Sequence, residues 1–298
     1  MPAHTVGFIG IGNMGLPLAL RLIEHGWWVH VRDIDASRVA TAQRAGATVC
    51  ETPADLASAC PTLVIAVVDA AQAEDVLFGS EGAVAAMRPG GAVLLCPTIA
   101  PADTERIARR LSAQGIDAVD TPMSGGPARA RDGTLALMVA CSDAIYQRHR
   151  ALLEALSSQV LRVGVRPGDG ARTKLVNNLL AAINLAGAAE ALALATRLGL
   201  DPTRTLDVIE RSSGQSWIGS ERLRRALSDD LEPRAHTSLL AKDTALALAM
   251  ARAGNIEPAL GAQAAALFAQ ACAEGLASAD DASLYAWLLS ASPAGGER

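Results

Sequence analysis

Apolar and polar positions follow two different periods along the chain. Short apolar runs typical of buried parallel strands recur in the first half, and segments with helical spacing separate them. The predicted strands are Thr5–Gly10, Trp27–Arg32, Leu63–Val68, Ala92–Cys96, Asp117–Asp120, Thr134–Cys141 and Gln159–Val163. The predicted helices among them are Ala36–Arg44, Ala71–Leu77, Ala102–Gln114 and Asp143–Leu156. Strands that alternate with helices predict right-handed crossovers and a doubly wound α/β sheet.

Beyond Pro167 almost every periodic segment is helical. A long helix is predicted from about Ala171 to Leu198, followed by Pro202–Ser212, Ser220–Leu227, Leu239–Ala253, Pro258–Glu274 and Asp280–Leu289. We therefore expect two domains, residues 1–166 with the sheet and residues 167–298 all helical, the second opening on the long interdomain helix. Its alanine-rich faces suit close helix packing, and we expect a homodimer or homotetramer. The stretch after Ser292 is typical of a disordered tail.

A glycine-rich turn joins the first predicted strand to a segment of helical spacing that begins at Leu16. It reads Gly10-Ile11-Gly12-Asn13-Met14-Gly15, a G-x-G-x-x-G pattern. The glycines permit the tight turn, let backbone N–H groups approach a pyrophosphate, and allow the helix to pack close to the strand. Strand, glycine turn and helix in this order predict a Rossmann-type domain that binds a dinucleotide.

An acidic residue follows the second predicted strand. Asp33 lies 18 residues after Gly15, where a ribose-binding carboxylate is expected. A carboxylate there accepts hydrogen bonds from the ribose hydroxyls and repels a 2′-phosphate, which favours NAD over NADP. Two alternatives stay open: Asp33 caps the next helix, or the neighbouring Arg32 reaches a phosphate in spite of it.

Ligands of such sheets bind at the carboxyl ends of the strands. Val67, Val68 and Thr98 lie at such ends, as does the stretch Thr121–Gly126. Within that stretch Ser124, Gly125 and Gly126 stand between two prolines, which predicts a rigid turn with accessible N–H donors. Such a turn can hold a carboxylate without a basic side chain. The alternative is an ordinary Gly-Pro turn.

Two lysines stand out in the helical half. Lys174 and Asn178 are four residues apart in Gly168–Asn178, so a helix places both on one face, where they can bind one hydroxyl or carbonyl oxygen. The alternative is a solvated surface lysine and a capping asparagine. Lys242-Asp243 is either a surface ion pair or a lysine that contacts the cofactor.

Composition limits the classes of function. The chain has 298 residues, a net charge of −5 and scattered basic residues, which argues against a nucleic-acid partner. Its five cysteines are widely spaced with no nearby histidine, so we expect reduced thiols and no metal. No leader is visible, and no apolar run approaches the roughly 20 residues of a membrane-spanning helix. We expect a cytoplasmic protein without a membrane partner.

Together these stretches resemble the β-hydroxyacid dehydrogenase family, which includes 3-hydroxyisobutyrate dehydrogenase, tartronate semialdehyde reductase and, more distantly, 6-phosphogluconate dehydrogenase. The similarity covers essentially the whole chain. Four motifs occur in the family's order: Gly7–Gly15, Asp120–Gly126 with Gly133-Thr134-Leu135, Gly168–Asn178, and Lys242-Asp243.

The resemblance implies a role for each matching residue. Lys174 becomes the catalytic residue with Asn178 as its helper, and the substrate carboxylate is held by Ser124, Gly125 and Gly126. Cofactor contacts are implied for Val67, Val68, Gln72, Thr98 and Lys242. The segment Ser212–Trp217 is similar to one that lines the substrate side.

The sequence departs from the family pattern at two places. Val67-Val68 replaces the Leu-Pro of many members, and Pro233-Arg234-Ala235-His236 is similar to the L-threonate dehydrogenase branch. The expected function is an NAD-dependent oxidoreductase that transfers hydride between the nicotinamide and a small hydroxy acid, of the 3-hydroxyisobutyrate type or, alternatively, an L-threonate-type 2-hydroxy acid.

Lys174 is expected to act as the base, its pKa lowered by desolvation. An imine-reducing relative usually lacks this lysine. A non-catalytic NAD-binding assembly module is the alternative of another class.

Overall fold

A computed structural model describes residues 4–290 of the chain. The chain forms two compact units, Met1–Lys174 and Leu175–Arg298. The predicted domain boundary between residues 166 and 167 stays a prediction, and the tail predicted after Ser292 lies outside the described residues.

A single mixed sheet organises the first unit. Within residues 4–174 its nine strands are β1 Thr5–Ile9, β2 Trp28–Arg32, β3 Thr48–Val49, β4 Thr62–Ile65, β5 Ala92–Leu95, β6 Asp117–Asp120, β7 Met123–Ser124, β8 Ala136–Ala140 and β9 Gln159–Gly164. Their order is β3-β2-β1-β4-β5-β6-β8-β7, with β9 paired to β8. The strands from β3 to β6 are parallel and follow the Rossmann order, which confirms the predicted fold class.

Helices cover both faces of this sheet. They are α1 Gly15–Glu24, α2 Ala36–Arg44, α3 Pro53–Ala59, α4 Ala70–Phe78, α5 Pro101–Ala113, α6 Gly126–Asp132 and α7 Asp143–Leu156. Successive strand residues point to opposite faces, so the neighbours Phe8 and Ile9 belong to two different buried clusters. Leu18 and Leu22 of α1 pack in the cluster of Phe8.

Two parts of the sheet differ from the predicted pattern. β4 ends at Ile65, because Ala66 N–H makes the last bond to the Ile9 carbonyl and the chain then leaves the sheet; the predicted strand continued to Val68. β8 runs antiparallel to β6 and β7. The two-residue strands β3 and β7 are too short to show a period in sequence.

The second unit is helical. Its elements are α8 Asp169–Arg197, which begins in the first unit, then α9 Pro202–Glu210, α10 Trp217–Leu227, α11 Thr237–Ala253, α12 Ala259–Ala271 and α13 Leu284–Ser290. One buried cluster joins them and includes Leu185 and Leu192 of α8 together with Phe268 and Leu284. The predicted all-helical second half is therefore confirmed, with α8 beginning two residues before the predicted start.

Among the described residues, α8 alone is long and apolar enough to cross a membrane, by length and composition. Its most apolar window has a mean hydropathy of 1.7, and 39% of that window is buried. The prediction that no segment approaches this length is therefore wrong for α8. Core helices of soluble proteins pass the same test, so this property is weak evidence for a membrane.

Candidate active site

The glycine turn has the close contacts that a dinucleotide loop requires. Gly10 has φ +87°, and a Cβ there would lie 2.7 Å from the Ala66 carbonyl oxygen. At Gly15, the first residue of α1, a Cβ would lie 2.2 Å from the Gly10 carbonyl oxygen. No larger residue fits either position without moving backbone. The loop thus has the shape in which backbone N–H groups and a helix start face a pyrophosphate.

Asp33 is tied to this turn by the backbone. Its Oδ2 accepts the Ile11 N–H at 2.6 Å and its Oδ1 accepts the Asp35 N–H at 2.8 Å. The cap of α2 is Asp35, whose side chain accepts the N–H groups of Ser37 and Arg38. Because Asp35 caps the helix, the carboxylate of Asp33 stays beside the glycine turn, where each oxygen retains a lone pair for a ribose hydroxyl.

A groove of about 390 Å³ lies beside Asp33. Ile34 lines it and is 93% exposed, and Val39 forms another apolar part of its wall. An apolar wall next to a carboxylate suits the flat adenine ring of a dinucleotide. Arg32 also lines the groove and donates to the Asp33 carbonyl, whereas Arg38 donates to Asn13 Oδ1 at 3.0 Å.

The residues after β4 and β5 form loops at the carboxyl ends of these strands. Val67 is half-buried and Val68 is 50% exposed. Gln72 Oε1 accepts the Val68 N–H at 3.0 Å, and the Gln72 N–H is donated to Asp69, the cap of α4. Thr98 is half-buried in the loop that follows β5. These four predicted cofactor residues therefore lie at the same sheet edge as the glycine turn.

The predicted carboxylate-binding turn is shaped differently from expectation. Met123 and Ser124 form strand β7, and α6 begins two residues later. Gly125 and Gly126 have φ of +139° and +77°, which only glycine adopts readily. A Cβ at Gly126 would meet nothing within 4 Å, so its backbone faces open space. The backbone at Gly126, two residues from the Ser124 hydroxyl, therefore remains open to a small anion.

Asp120, the first residue of the Asp120–Gly126 motif, closes β6, and no role of its own was predicted for it. Asp120 is 1% exposed, and its Oδ2 accepts the Gly168 N–H at 2.7 Å and the Ala171 N–H at 3.1 Å. Burial raises the pKa of Asp120 to about 6, against the opposing effect of these N–H donors. The signal in sequence was an acid at a strand end and a Gly-Asp-Gly at the start of the long helix.

Lys174 and Asn178 lie one turn apart on α8. Each is 8% exposed. The alternative of a solvated surface lysine is therefore excluded, because a lysine this buried is almost always paired rather than surrounded by water.

Asn178 is joined to the second predicted lysine by a buried carboxylate. Its Nδ2 donates to Asp243 Oδ2 at 2.6 Å, and Asp243 is 6% exposed. Lys242 Nζ lies 3.1 Å from Asp243 Oδ1, at an angle that gives charge attraction without a directed hydrogen bond. Asp243 thus fixes the amide of Asn178 and holds Lys242, a connection that the sequence did not predict.

The five cysteines all lie in the described part of the chain and are free thiols, three of them buried. Within residues 4–290 no group of three His, Cys, Asp or Glu side chains is arranged to hold a metal ion. The absence of a metal stays a prediction.

Two protein-family models together match residues 5–164 and 168–288 of the chain. Residues 5–164 match the model of the NAD binding domain of 6-phosphogluconate dehydrogenase, and residues 168–288 match that of the NAD-binding domain of NADP-dependent 3-hydroxyisobutyrate dehydrogenase. The L-threonate dehydrogenase of Cupriavidus necator is 36% identical over 282 residues, which cover 95% of each chain.

Two solved structures extend this similarity to the fold. The crystal structure of 3-hydroxyisobutyrate dehydrogenase from Salmonella typhimurium has a TM-score of 0.90 at 32% identity, covering 95% of this chain and 99% of the other. Psf3 in complex with NADP+ and 2-OPP has a TM-score of 0.88 at 28% identity, covering 95% and 99%. Sequence motifs, family models and fold agree, and the chain belongs to the NAD(P)-dependent β-hydroxyacid dehydrogenase family.

Proposed function

We propose that this protein is an NAD-dependent dehydrogenase of a small hydroxy acid, in which Lys174 exchanges the proton of the reacting hydroxyl. The observation that carries the proposal is the burial of Lys174, which is only 8% exposed in a chain of the β-hydroxyacid dehydrogenase family. NAD, when bound, accepts the hydride at C4 of its nicotinamide.

The choice of basic residues supports the role of Lys174. Of the 26 basic residues in the sequence, Lys174 and Lys242 are the only lysines. Arginine is permanently charged, whereas a lysine ammonium can lose its proton when it is buried. All other basic residues are arginines, and lysine occurs only at the two positions where the family motifs have it.

The remaining residues have positioning roles in this mechanism. During oxidation Lys174 accepts the hydroxyl proton, and during reduction it returns a proton to the developing alkoxide. Asn178, held by Asp243, orients the same oxygen. Ser124 and the backbone N–H groups of Gly125 and Gly126 hold the substrate carboxylate, which fixes the reacting carbon near the nicotinamide.

Replacement of Lys174 tests this assignment. Lys174→Arg keeps a positive charge that cannot be removed, so turnover should fall as far as in Lys174→Ala, by about 100-fold or more. NADH affinity, measured by fluorescence titration, should stay within about threefold of wild type, because the nucleotide-binding loop is unchanged. Turnover by either variant at the wild-type rate would show that Lys174 is not the base.

The cofactor preference rests on Asp33. Its carboxylate is fixed by two backbone N–H groups, and a negative charge held there would repel the 2′-phosphate of NADP. Asp33→Ser should therefore raise kcat/KM with NADP and lower it with NAD. A wild-type enzyme that uses NADP better than NAD would contradict this part of the proposal and indicate that Arg32 binds the phosphate.

Two substrate types are candidates. The motifs predict a 3-hydroxy acid such as 3-hydroxyisobutyrate, and the name of the Cupriavidus necator relative together with Pro233–His236 favours L-threonate. An assay of 3-hydroxyisobutyrate, L-serine, glycerate and L-threonate with NAD separates them by kcat/KM. Equal failure of all four would reject the proposed substrate class.

The proposal includes the setting of the enzyme. We infer a cytoplasmic homodimer or homotetramer without a nucleic-acid or membrane partner, supported by the acidic net charge and the alanine-rich helices of the second unit. Light scattering of the purified protein measures the subunit number directly.

A further inference from the structure

We propose that Asp120 is a positioning residue that sets the start of α8 and thereby the place of Lys174. This inference rests on the proposed function, since it concerns the same lysine. Asp120 does not touch the reacting atoms in this proposal; it acts through the backbone of the helix that carries Lys174.

The sheet fixes Asp120 on two sides. In β6 it pairs with Leu95 of the parallel strand β5 and with Ala140 of the antiparallel strand β8. The Cα of Asp120 therefore has neighbours on both sides in the middle of the sheet, and its side chain is 1% exposed. A carboxylate at such a position is a rigid reference point for whatever it binds.

The carboxylate binds the first turn of α8. Its Oδ2 accepts two N–H groups, from Gly168 immediately before the helix and from Ala171 within it. These belong to the N–H groups that have no partner inside a helix. The N–H of Gly170, between these two donors, also favours the charged form of Asp120. Asp120 thus serves as the N-terminal cap of α8, although it lies about fifty residues earlier in the chain.

Steric contact fixes the same turn independently. A Cβ at Gly170 would lie 2.8 Å from Asp120 Oδ1 and 2.8 Å from the Met138 carbonyl oxygen. Because both contacts are at the sheet, any side chain at position 170 would push the helix start away from β6. The hydrogen bonds to Asp120 and the lack of a side chain at Gly170 therefore fix the distance between β6 and the start of α8.

Lys174 is close enough to this contact to depend on it. It lies three residues beyond Ala171, a rise of about 4.5 Å along the helix axis. A shift of the first turn therefore moves the Lys174 backbone almost directly. Misplacement of a reacting group by about 1 Å can lower turnover by about 100-fold.

Among the described residues, the charge of Asp120 is not matched by a cation in an ion pair. Within residues 4–290 Asp120 makes no ion pair. The titratable groups that interact with it electrostatically include Asp169 from α8, Cys96 from the end of β5 and Cys141 from the end of β8. Its carboxylate is stabilised chiefly by the N–H groups of α8, so protonation weakens the contact that holds the helix start.

Three variants test the proposal. Asp120→Asn removes the charge that accepts the N–H groups of Gly168 and Ala171 and replaces one carboxylate oxygen by an amide NH₂, and Gly170→Ala pushes the helix start from the sheet. In both, kcat should fall by about 100-fold, while KM and NADH affinity stay within about threefold. Asp117→Asn is the matched control, at the opposite end of β6, where Asp117 faces Arg148 and His149; its kcat should stay within twofold of wild type.

Two further measurements separate positioning from general stability. Hydrogen exchange should accelerate at the amides of residues 168–171 in Asp120→Asn and stay unchanged in Asp117→Asn. The wild-type pH profile of kcat should show an acid limb near pH 6 that Asp120→Asn lacks. Unchanged exchange, or a loss of kcat, NADH binding and folded fraction in equal proportion, would overturn the proposal.

Different outcomes of these experiments reject the role of Asp120 and the proposed function. If Lys174→Ala keeps turnover, or the wild type oxidises none of the four acids, the proposed function has failed. If Lys174→Ala is inactive while Asp120→Asn and Gly170→Ala keep the wild-type kcat, only the role of Asp120 is overturned. The exchange measurement reports on the cap of α8 in either case.

Discussion

Asp120 in the first unit and Asp281 in the second are both buried carboxylates, yet different partners stabilise them. Asp120 accepts backbone N–H groups of α8 and has no cationic partner among residues 4–290. Asp281, 1% exposed, accepts from Arg222 Nε, and its neighbour Asp280 accepts from Arg225 Nη1 at 3.0 Å. Burial raises the pKa of both Asp120 and Asp281 to about 6.

The difference separates a stabilising cluster from a positioning contact. The Arg-Asp cluster joins α10 to the turn before α13, and Asp280 Oδ2 also accepts the N–H groups of Arg234 and Ala235. It thereby holds the segment 233–236 that precedes α11, the helix of Lys242. Every member has a charged partner, so the cluster serves the fold of the second unit. Asp120 instead connects one strand end to the helix start before Lys174.

The largest expected effect is on the cluster. Arg222→Met leaves Asp281 buried without its cation and should lower the free energy of unfolding by about 3–5 kcal/mol. Adding Asp281→Leu should recover much of that loss, because the unpaired charge is removed as well. Urea denaturation of the two single variants and the double variant measures the coupling. Additive losses in the double variant would show that the two residues do not act as a pair.

A smaller loss of stability is expected at Asp120. Asp120→Ala leaves the N–H groups of Gly168 and Ala171 without their acceptor, which should lower the free energy of unfolding by about 1–3 kcal/mol. Urea denaturation should show this loss of stability. A steady-state assay of the same variant should show a much larger proportional fall in kcat. Arg222→Met, by contrast, should lose activity only in proportion to its unfolded fraction, because the cluster stabilises the fold and does not position Lys174.

The pH dependence of stability should report on Asp120 directly. Its folded pKa is raised from 3.8 to about 6, so its contribution to stability is fully present below pH 3.8 and is lost as the pH rises through 6. The free energy of unfolding of wild type relative to Asp120→Asn should therefore fall between pH 4 and pH 6, by on the order of 2 kcal/mol. Parallel curves would place the folded pKa near its ordinary value. Asp281→Asn tests the other carboxylate in the same pH window.

The smallest effect is expected at the amino end of β6. Asp117 is half-buried beside Arg148, which is itself mostly exposed, and His149. Asp117→Asn should change the free energy of unfolding by no more than about 1 kcal/mol. Thermal unfolding of this variant and of Asp120→Asn compares the two ends of one strand.

Local patterns predicted the elements that are long or bounded by clear signals. Three elements have the predicted ends: the helices Ala36–Arg44 and Asp143–Leu156 and the strand Asp117–Asp120. The sequence pattern did not lead to a prediction of α3, although Thr52 and Asp55 form a capping box at its start. It did not predict α6 either, because Gly126 and Pro127 indicate a turn as readily as a helix start.

The sequence by itself determined the doubly wound sheet, the helical second half, the dinucleotide loop with Asp33 and the two lysine motifs, since each depends on spacing within a short stretch. Only the tertiary structure showed that Asp120 caps α8 and that Asp243 holds Asn178. Those contacts join residues 48 or more positions apart, and which distant groups meet is decided by how strands and helices pack. Burial of Lys174 belongs to the same class, because exposure is a property of the surroundings that packing creates.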